Sequence, residues 1–168
     1  MANTDLPNGF RPANNHPYYP PHKYELTASQ TIAVGDMVYL TSAGRVSIAL
    51  STTADMLLGV AATPCTSSTV SDPIWVWDNP LQAVEGQCSG SGALLDPFTT
   101  GTLSACVGIE GSTGIMEIDE DDTTTEEVVR FIGIGTDPVT GVESAIGANQ
   151  RKIFQISPIK HAYKLGAS

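Results

Sequence analysis

The apolar runs of this chain are short, and each is stopped by glycine, proline, aspartate or asparagine. Ile74-Trp75-Val76-Trp77 ends at Asp78-Asn79-Pro80, Glu126 to Ile134 ends at Asp137-Pro138, and Arg151 to Ile156 ends at Ser157-Pro158. Such punctuation leaves little room for a long helix. The apolar residues are rich in Val and Ile, which pack well on a pleated surface. Arg45 to Leu50 follows Ser42-Ala43-Gly44 and alternates as a half-buried strand should, whereas Met56 to Ala61 is continuously apolar. Further strands are expected at Tyr24–Ala28, after the Gly35-Asp36 turn to Leu40, at Leu81–Gln87, at Thr102–Ile109 and at Gly114–Ile118. Many short strands with regular breaks predict an all-β fold, a small β-barrel or sandwich. Leu57-Leu58-Gly59-Val60 and Phe131-Ile132-Gly133-Ile134 echo each other, but one echo does not make a repeat.

Three parts are expected: an extended Pro-rich N-terminal arm at residues 1–22, a β domain at 23–157, and a basic tail at 158–168. The arm holds five of the eleven prolines, Pro7, Pro12, Pro17, Pro20 and Pro21. Proline fixes φ and removes a donor, so neither helix nor central strand can run through it. Phe10, Tyr18 and Tyr19 stand on this stiffened backbone, where large rings lose little entropy on docking. The arm is expected to lie on a partner or a neighbouring subunit; the alternative is that it packs on its own domain. Phe10, Arg11, Tyr18 and Tyr19, with Lys160 and Tyr163 of the tail, are the candidate partner-binding residues.

The net charge is −10, which argues against nucleic acid as the main partner and against an anionic membrane surface. Charge is uneven. Residues 117–127 carry seven of the eighteen acids, while Arg151, Lys152, Lys160 and Lys164 make the end basic. A molecule polarised in this way suits docking between charged neighbours. No apolar run approaches the roughly 18 residues of a membrane span, and Met1 to Asp5 does not open a signal peptide. Cys65, Cys88 and Cys106 are too few for a disulfide framework and match no zinc spacing, so they read as buried thiols made in a reducing cytoplasm.

Motifs for chemistry are missing. There is no Gly-x-Ser-x-Gly, and Gly86-Gln87-Cys88-Ser89-Gly90 reads as a loose linker. A cysteine nucleophile would need His16, His22 or His161 as base, and nothing supports that convergence. Gly133-x-Gly135-x-x-Pro138 fails as a dinucleotide fingerprint because proline replaces the third glycine. The acidic run from Glu117 to Asp122 cannot be an EF-hand, since Thr124 and Arg130 stand where glycine and glutamate are required. A calcium site of another kind on that loop stays open beside a solvated loop or a contact with a basic partner. Trp75 and Trp77 share one strand face, either as core or as a carbohydrate platform. No catalytic, cofactor-binding or metal-ligating set is assigned, so an enzyme is not expected.

Several segments resemble the small head-decoration, or cement, proteins of tailed bacteriophages. Met1-Ala2-Asn3-Thr4-Asp5-Leu6-Pro7-Asn8-Gly9-Phe10-Arg11-Pro12 looks like the Gly-Phe/Leu-Arg-Pro start of such proteins. Val34-Gly35-Asp36-Met37-Val38 is similar to their Gly-Asp-x-Val strand, and Leu57-Leu58-Gly59-Val60-Ala61 to the Leu-Gly-Val strand that follows. Ile74 to Glu85 resembles a Val-x-Asp-x-Pro … Phe-Glu segment. The resemblance spans residues 1 to about 87. It implies a β-barrel that sits on the capsid surface of a virion, often as a homotrimer, and contacts the major capsid protein. It would be made in the host cytoplasm and would stabilise the head lattice. The competing reading is a carbohydrate- or receptor-binding β module on a virion surface, for which Trp75 and Trp77 are the positive feature.

Overall fold

The computed structural model describes residues 5–49, 56–67, 72–89, 108–110, 113–119, 129–145, 147–158 and 160–163. Among them there is no helix, and the fold is all-β with antiparallel ladders. Five strands form the central sheet in the order β2 (His22–Glu25), β8 (Pro73–Trp77), β6 (Leu57–Ala61), β4 (Met37–Leu40), β5 (Val46–Ile48). The sheet curls until the residues after β2 meet β5. Leu26 bridges Val46 in parallel, and Thr27 N–H donates to the Val46 carbonyl at 2.9 Å. This closes a small barrel and removes most of its open edge.

The barrel interior holds Leu26, Ile32, Val38, Val46, Leu58, Ala61, Ile74 and Val76. A second core lies outside the barrel wall, beneath a four-stranded sheet ordered β1 (Arg11–Pro12), β9 (Val84–Gln87), β13 (Arg151–Ile156), β12 (Val129–Ile134). Met37, Leu57 and Val60 from the barrel meet Val84, Val129, Phe131, Phe154 and Ile156 there. The central strand β6 is therefore buried on both faces, and all five of its residues are buried. That explains its unbroken apolar sequence. A register shift between Val38 and Tyr39 lets Leu57 and Val60 both face the outer core. At Gly59 an added Cβ would lie 2.0 Å from the Trp77 carbonyl oxygen, so only glycine lets β6 and β8 approach.

Two short ribbons complete the body: β3 (Gln30–Ile32) with β7 (Cys65–Ser67), and β10 (Gly108–Glu110) with β11 (Glu117–Asp119). Asp36, fully buried, ties them together. Its carboxylate accepts from Ala33 N–H at 2.7 Å and from Gly114 N–H at 2.6 Å. Burial pushes this carboxyl above its ordinary range, against the pull of those two donors. The expected strand at Thr102–Ile109 is seen over its last two residues, extended to Glu110; residues 102–107 lie outside the described residues. Thr140 to Gln150 forms no strand where it is described. Cys65 is half-buried and Cys88 buried, and neither is in a disulfide. Cys106 lies outside the described residues.

Candidate functional site

The six candidate contact residues divide sharply. Phe10 is 1% exposed and belongs to the outer core of its own chain. Its ring meets Phe154 edge-on, with centroids 5.2 Å apart and planes at 83°. It lies directly over Gly86, where an added Cβ would sit 2.4 Å from the ring. The chain enters this socket through two glycines. Gly9 (φ +71°) and Gly35 (φ +91°) pass so closely that neither has room for a Cβ, and Phe10 N–H donates to the Gly35 carbonyl at 2.8 Å. The expectation that Phe10 anchors on a partner is therefore corrected. A socket formed by residues 25 to 144 positions away takes the ring, and burial there leaves nothing to present.

Arg11 is half-buried beside it, with Nη2 3.1 Å from Glu85 Oε1. Glu85 is itself 1% exposed and stands 4.0 Å from Nη1 of the equally buried Arg151. Nη2 of Arg151 donates to the Leu6 carbonyl at 2.9 Å and to Asn8 Oδ1 at 3.1 Å. Burial and the neighbouring Arg11 pull the Arg151 pKa down, while Glu85 and Asp137 hold it up. Two guanidiniums thus share one carboxylate, and this cluster clamps residues 6–11 to the four-stranded sheet. Nη2 of Arg11 thus ties this segment to its own chain, while its side chain stays 43% exposed.

Tyr18 is different. It is 63% exposed, and the nearest tie is Trp77 Nε1–H donating to its hydroxyl at 3.4 Å. Tyr19 is half-buried and is held through its N–H on Gln82 Oε1 at 3.1 Å. Trp75 and Trp77 do share one face of β8, but it is the outer one. Ile74 and Val76 fill the barrel interior from the opposite face, and the core reading holds in part for Trp77 and not for Trp75. Trp75 is 44% exposed, while Trp77 is half-buried against the outer core. Trp75, Trp77 and Tyr18 accordingly form an aromatic row on the barrel's outer wall.

At the other terminus the chain folds back. Lys160 N–H and His161 N–H both donate to the Ser157 carbonyl, and Ala162 N–H donates to the Leu57 carbonyl at 2.7 Å. Lys160 is only 4% exposed, so its assignment as a partner contact is corrected: this turn draws it against the body. Tyr163 remains 46% exposed, but its hydroxyl meets that of Tyr24 at 2.5 Å. The Tyr24 hydroxyl in turn donates to Asp78 Oδ2, and His22 Nδ1 lies 2.7 Å from Asp78 Oδ1. Burial first, and then the Asp78 carboxylate, push the Tyr24 pKa well above the ordinary tyrosine range. His161, buried behind Tyr163, accepts the Tyr163 N–H on Nδ1 at 3.0 Å; burial lowers its pKa, with Asp78 opposing.

The His22–Asp78–Tyr24–Tyr163 network was not anticipated. Its only sequence signal is that His22 and Tyr24 share a strand face and that Asp78 closes the strand paired with them. No nucleophile is poised on it, and its ties join elements of the body to one another. Most of the acidic run, residues 120–128, lies outside the described residues, so the calcium reading there is not addressed by the geometry. Among the described residues no three His, Cys, Asp or Glu side chains gather as a metal site, and no helix is long and apolar enough to cross a membrane. In comparisons with known proteins, no family model matches the chain and no curated protein does.

Proposed function

We propose that this chain is a structural virion protein that binds the outer surface of a phage capsid and stabilises the head lattice, with the major capsid protein as partner and self-association as a second contact. The observation that carries this reading is the aromatic row of Tyr18, Trp75 and Trp77 on a rigid wall. Large rings already held in place lose little freedom on docking, which makes them effective anchors for another protein surface. The resemblance of residues 1–87 to head-decoration proteins supplies the kind of surface. Many copies on a lattice turn modest single contacts into firm retention.

The test is retention of the purified chain on expanded capsid shells stripped of it, read by co-sedimentation. The full chain should pellet with shells, and Trp75→Ala and Tyr18→Ala should each weaken retention by about tenfold or more while leaving the fold intact. A folded chain that ignores the shells contradicts the proposal. The same row favours one other reading, a carbohydrate platform, because two indoles on one face can stack on sugar rings. Binding on a glycan array, abolished by Trp75→Ala and Trp77→Ala without unfolding, would favour that reading instead.

A further inference from the structure

Beyond Trp77 the chain leaves β6, and the C-terminal segment takes the vacated place. Strand β6 pairs with β8 at Val60 and Ala61, whereas Leu57 bridges His161 in parallel, and Ala162 N–H donates to the Leu57 carbonyl at 2.7 Å. Most side chains gathered there are titratable. His22 and Tyr24 come from β2, Asp78 from the end of β8, and Lys160, His161 and Tyr163 from the segment itself; β6 brings only Leu57 and Leu58. One carboxylate serves both histidines. Asp78 is 3% exposed, its Oδ1 lies 2.7 Å from His22 Nδ1, and its Oδ2 accepts the Tyr24 hydroxyl. The same carboxylate favours a charged His161, against the stronger effect of burial. Water reaches His22, whose side chain is 65% exposed, but not His161, which is 1% exposed. His161 carries a second constraint, since its Nδ1 accepts the Tyr163 N–H at 3.0 Å. A charged imidazole bears hydrogen on both nitrogens and accepts nothing, so a proton on Nδ1 would set two donors against each other.

We propose that Lys160–Tyr163 is an acid-released latch on the barrel end, opened because His22 and His161 compete for Asp78 and because a protonated His161 cannot accept the Tyr163 N–H. Mild acid charges imidazoles. A charged His22 is paired with Asp78 at contact distance and takes up its negative charge. A proton on His161 is then buried without the help of that carboxylate, and a buried charge that loses its partner is driven toward water. Moving it there breaks few ties: Ala162 N–H to Leu57, Tyr163 to Tyr24, and the turn in which Lys160 and His161 N–H groups share the Ser157 carbonyl. The barrel interior contains none of these residues except Tyr24 and Ala162 at its margin, and the outer core is formed by other strands apart from Leu57, so both stay closed. Release brings Lys160 and His161, both buried at neutral pH, into solvent and bares the main chain of Leu57. The latch is a property of this fold and does not depend on the capsid reading.

Amide NMR spectra of the full chain, recorded from about pH 7.5 down to about pH 4.5, test it across the histidine range. The signals of Lys160 to Tyr163 should move together to the positions of an unstructured chain, while those of Val60 and Phe154 keep their native places. His161→Gln is uncharged at every pH, so its segment should keep one set of signals over the whole range. His22→Gln leaves Asp78 to His161 and should move release to more acid pH by about half a unit or more. Should His161→Gln detach the segment even at neutral pH, the shift in His22→Gln decides alone. Native signals for Lys160 to Tyr163 down to the pH at which the whole fold opens overturn the proposal. So does release at an unchanged pH in His22→Gln, or acid release in His161→Gln at the pH of the native chain.

Discussion

The two ends of this chain meet the body in contrasting ways. Residues 6–13 are held by an apolar ring in a dry socket and by a buried charge cluster: Phe10 over Gly86, and Arg11 and Arg151 about Glu85. Residues 157–163 are held by hydrogen-bonded polar groups at the barrel end, with His161 behind the Tyr163–Tyr24–Asp78 chain. Between the first of these and β2 lies a stretch of another character, where Tyr18 stands 63% exposed on Trp77. Proline content makes the whole N-terminal segment unable to form a central strand, but it does not decide what the segment docks on. Glycine does, at positions distant in sequence. Where Gly35 and Gly86 open a socket, the ring is taken in; at Tyr18, which has no such socket, the ring stays exposed.

The sharpest test of this contrast is Phe10→Ala. Deleting a buried ring removes transfer energy and leaves a cavity, so stability should fall by about 3–5 kcal/mol in urea or thermal unfolding. A loss below about 1 kcal/mol would place the ring outside the fold. Glu85→Gln comes next. It leaves Arg151 buried without its nearest carboxylate and should cost about 3 kcal/mol by the same measurement. An unchanged midpoint would mean that the cluster contributes nothing to holding residues 6–11.

The C-terminal attachment should show itself through pH instead. Burial holds the His161 pKa below its ordinary value near 6.5. The unfolded chain therefore takes up a proton first as pH falls. The stability from neutral His161 is fully present above that ordinary value and is lost progressively as pH drops from it toward the lower folded pKa. The slope should approach at most about 1.4 kcal/mol per pH unit. His161→Gln should flatten the stability curve in that window, and a curve of unchanged slope would contradict the assignment. Smallest of all, Tyr18→Ala should change stability by less than about 0.5 kcal/mol, because the side chain is mostly in water. A large loss would erase the distinction between the inner and outer halves of the N-terminal segment.

Much of the fold is legible in residue order. The alternation at Val46–Ile48 and the unbroken run at Leu57–Ala61 correspond to a strand at the barrel seam and one at its centre. Arg151–Ile156 is a strand over its whole expected length. Other features were legible only as motifs without a cause. Gly9-Phe10 and Gly35-Asp36 look like separate family signatures, yet they form one junction in which two backbones pass in contact and Phe10 N–H bonds Gly35. The sequence leaves open which face of β8 fills the barrel, because Trp75 and Trp77 on one face are as apolar as Ile74 and Val76 on the other. Volume decides it, since a narrow barrel interior accepts branched aliphatic side chains and excludes two indoles. Lys160 and Arg151 sit in a basic stretch, whose charge alone points to docking between charged neighbours; counter-charges brought from distant strands allow Arg151 its buried place. Local patterning contains none of that information.

Hydrogen exchange of the intact chain tests the central claim directly, through the amides of Phe10 and Ala13, which donate to Gly35 and Ala83. Embedded in the body, they should exchange as slowly as those of Val60 and Phe154, opening only when the whole fold opens. Exchange within seconds, as at a free terminus, would mean that the N-terminal segment is not part of the folded body.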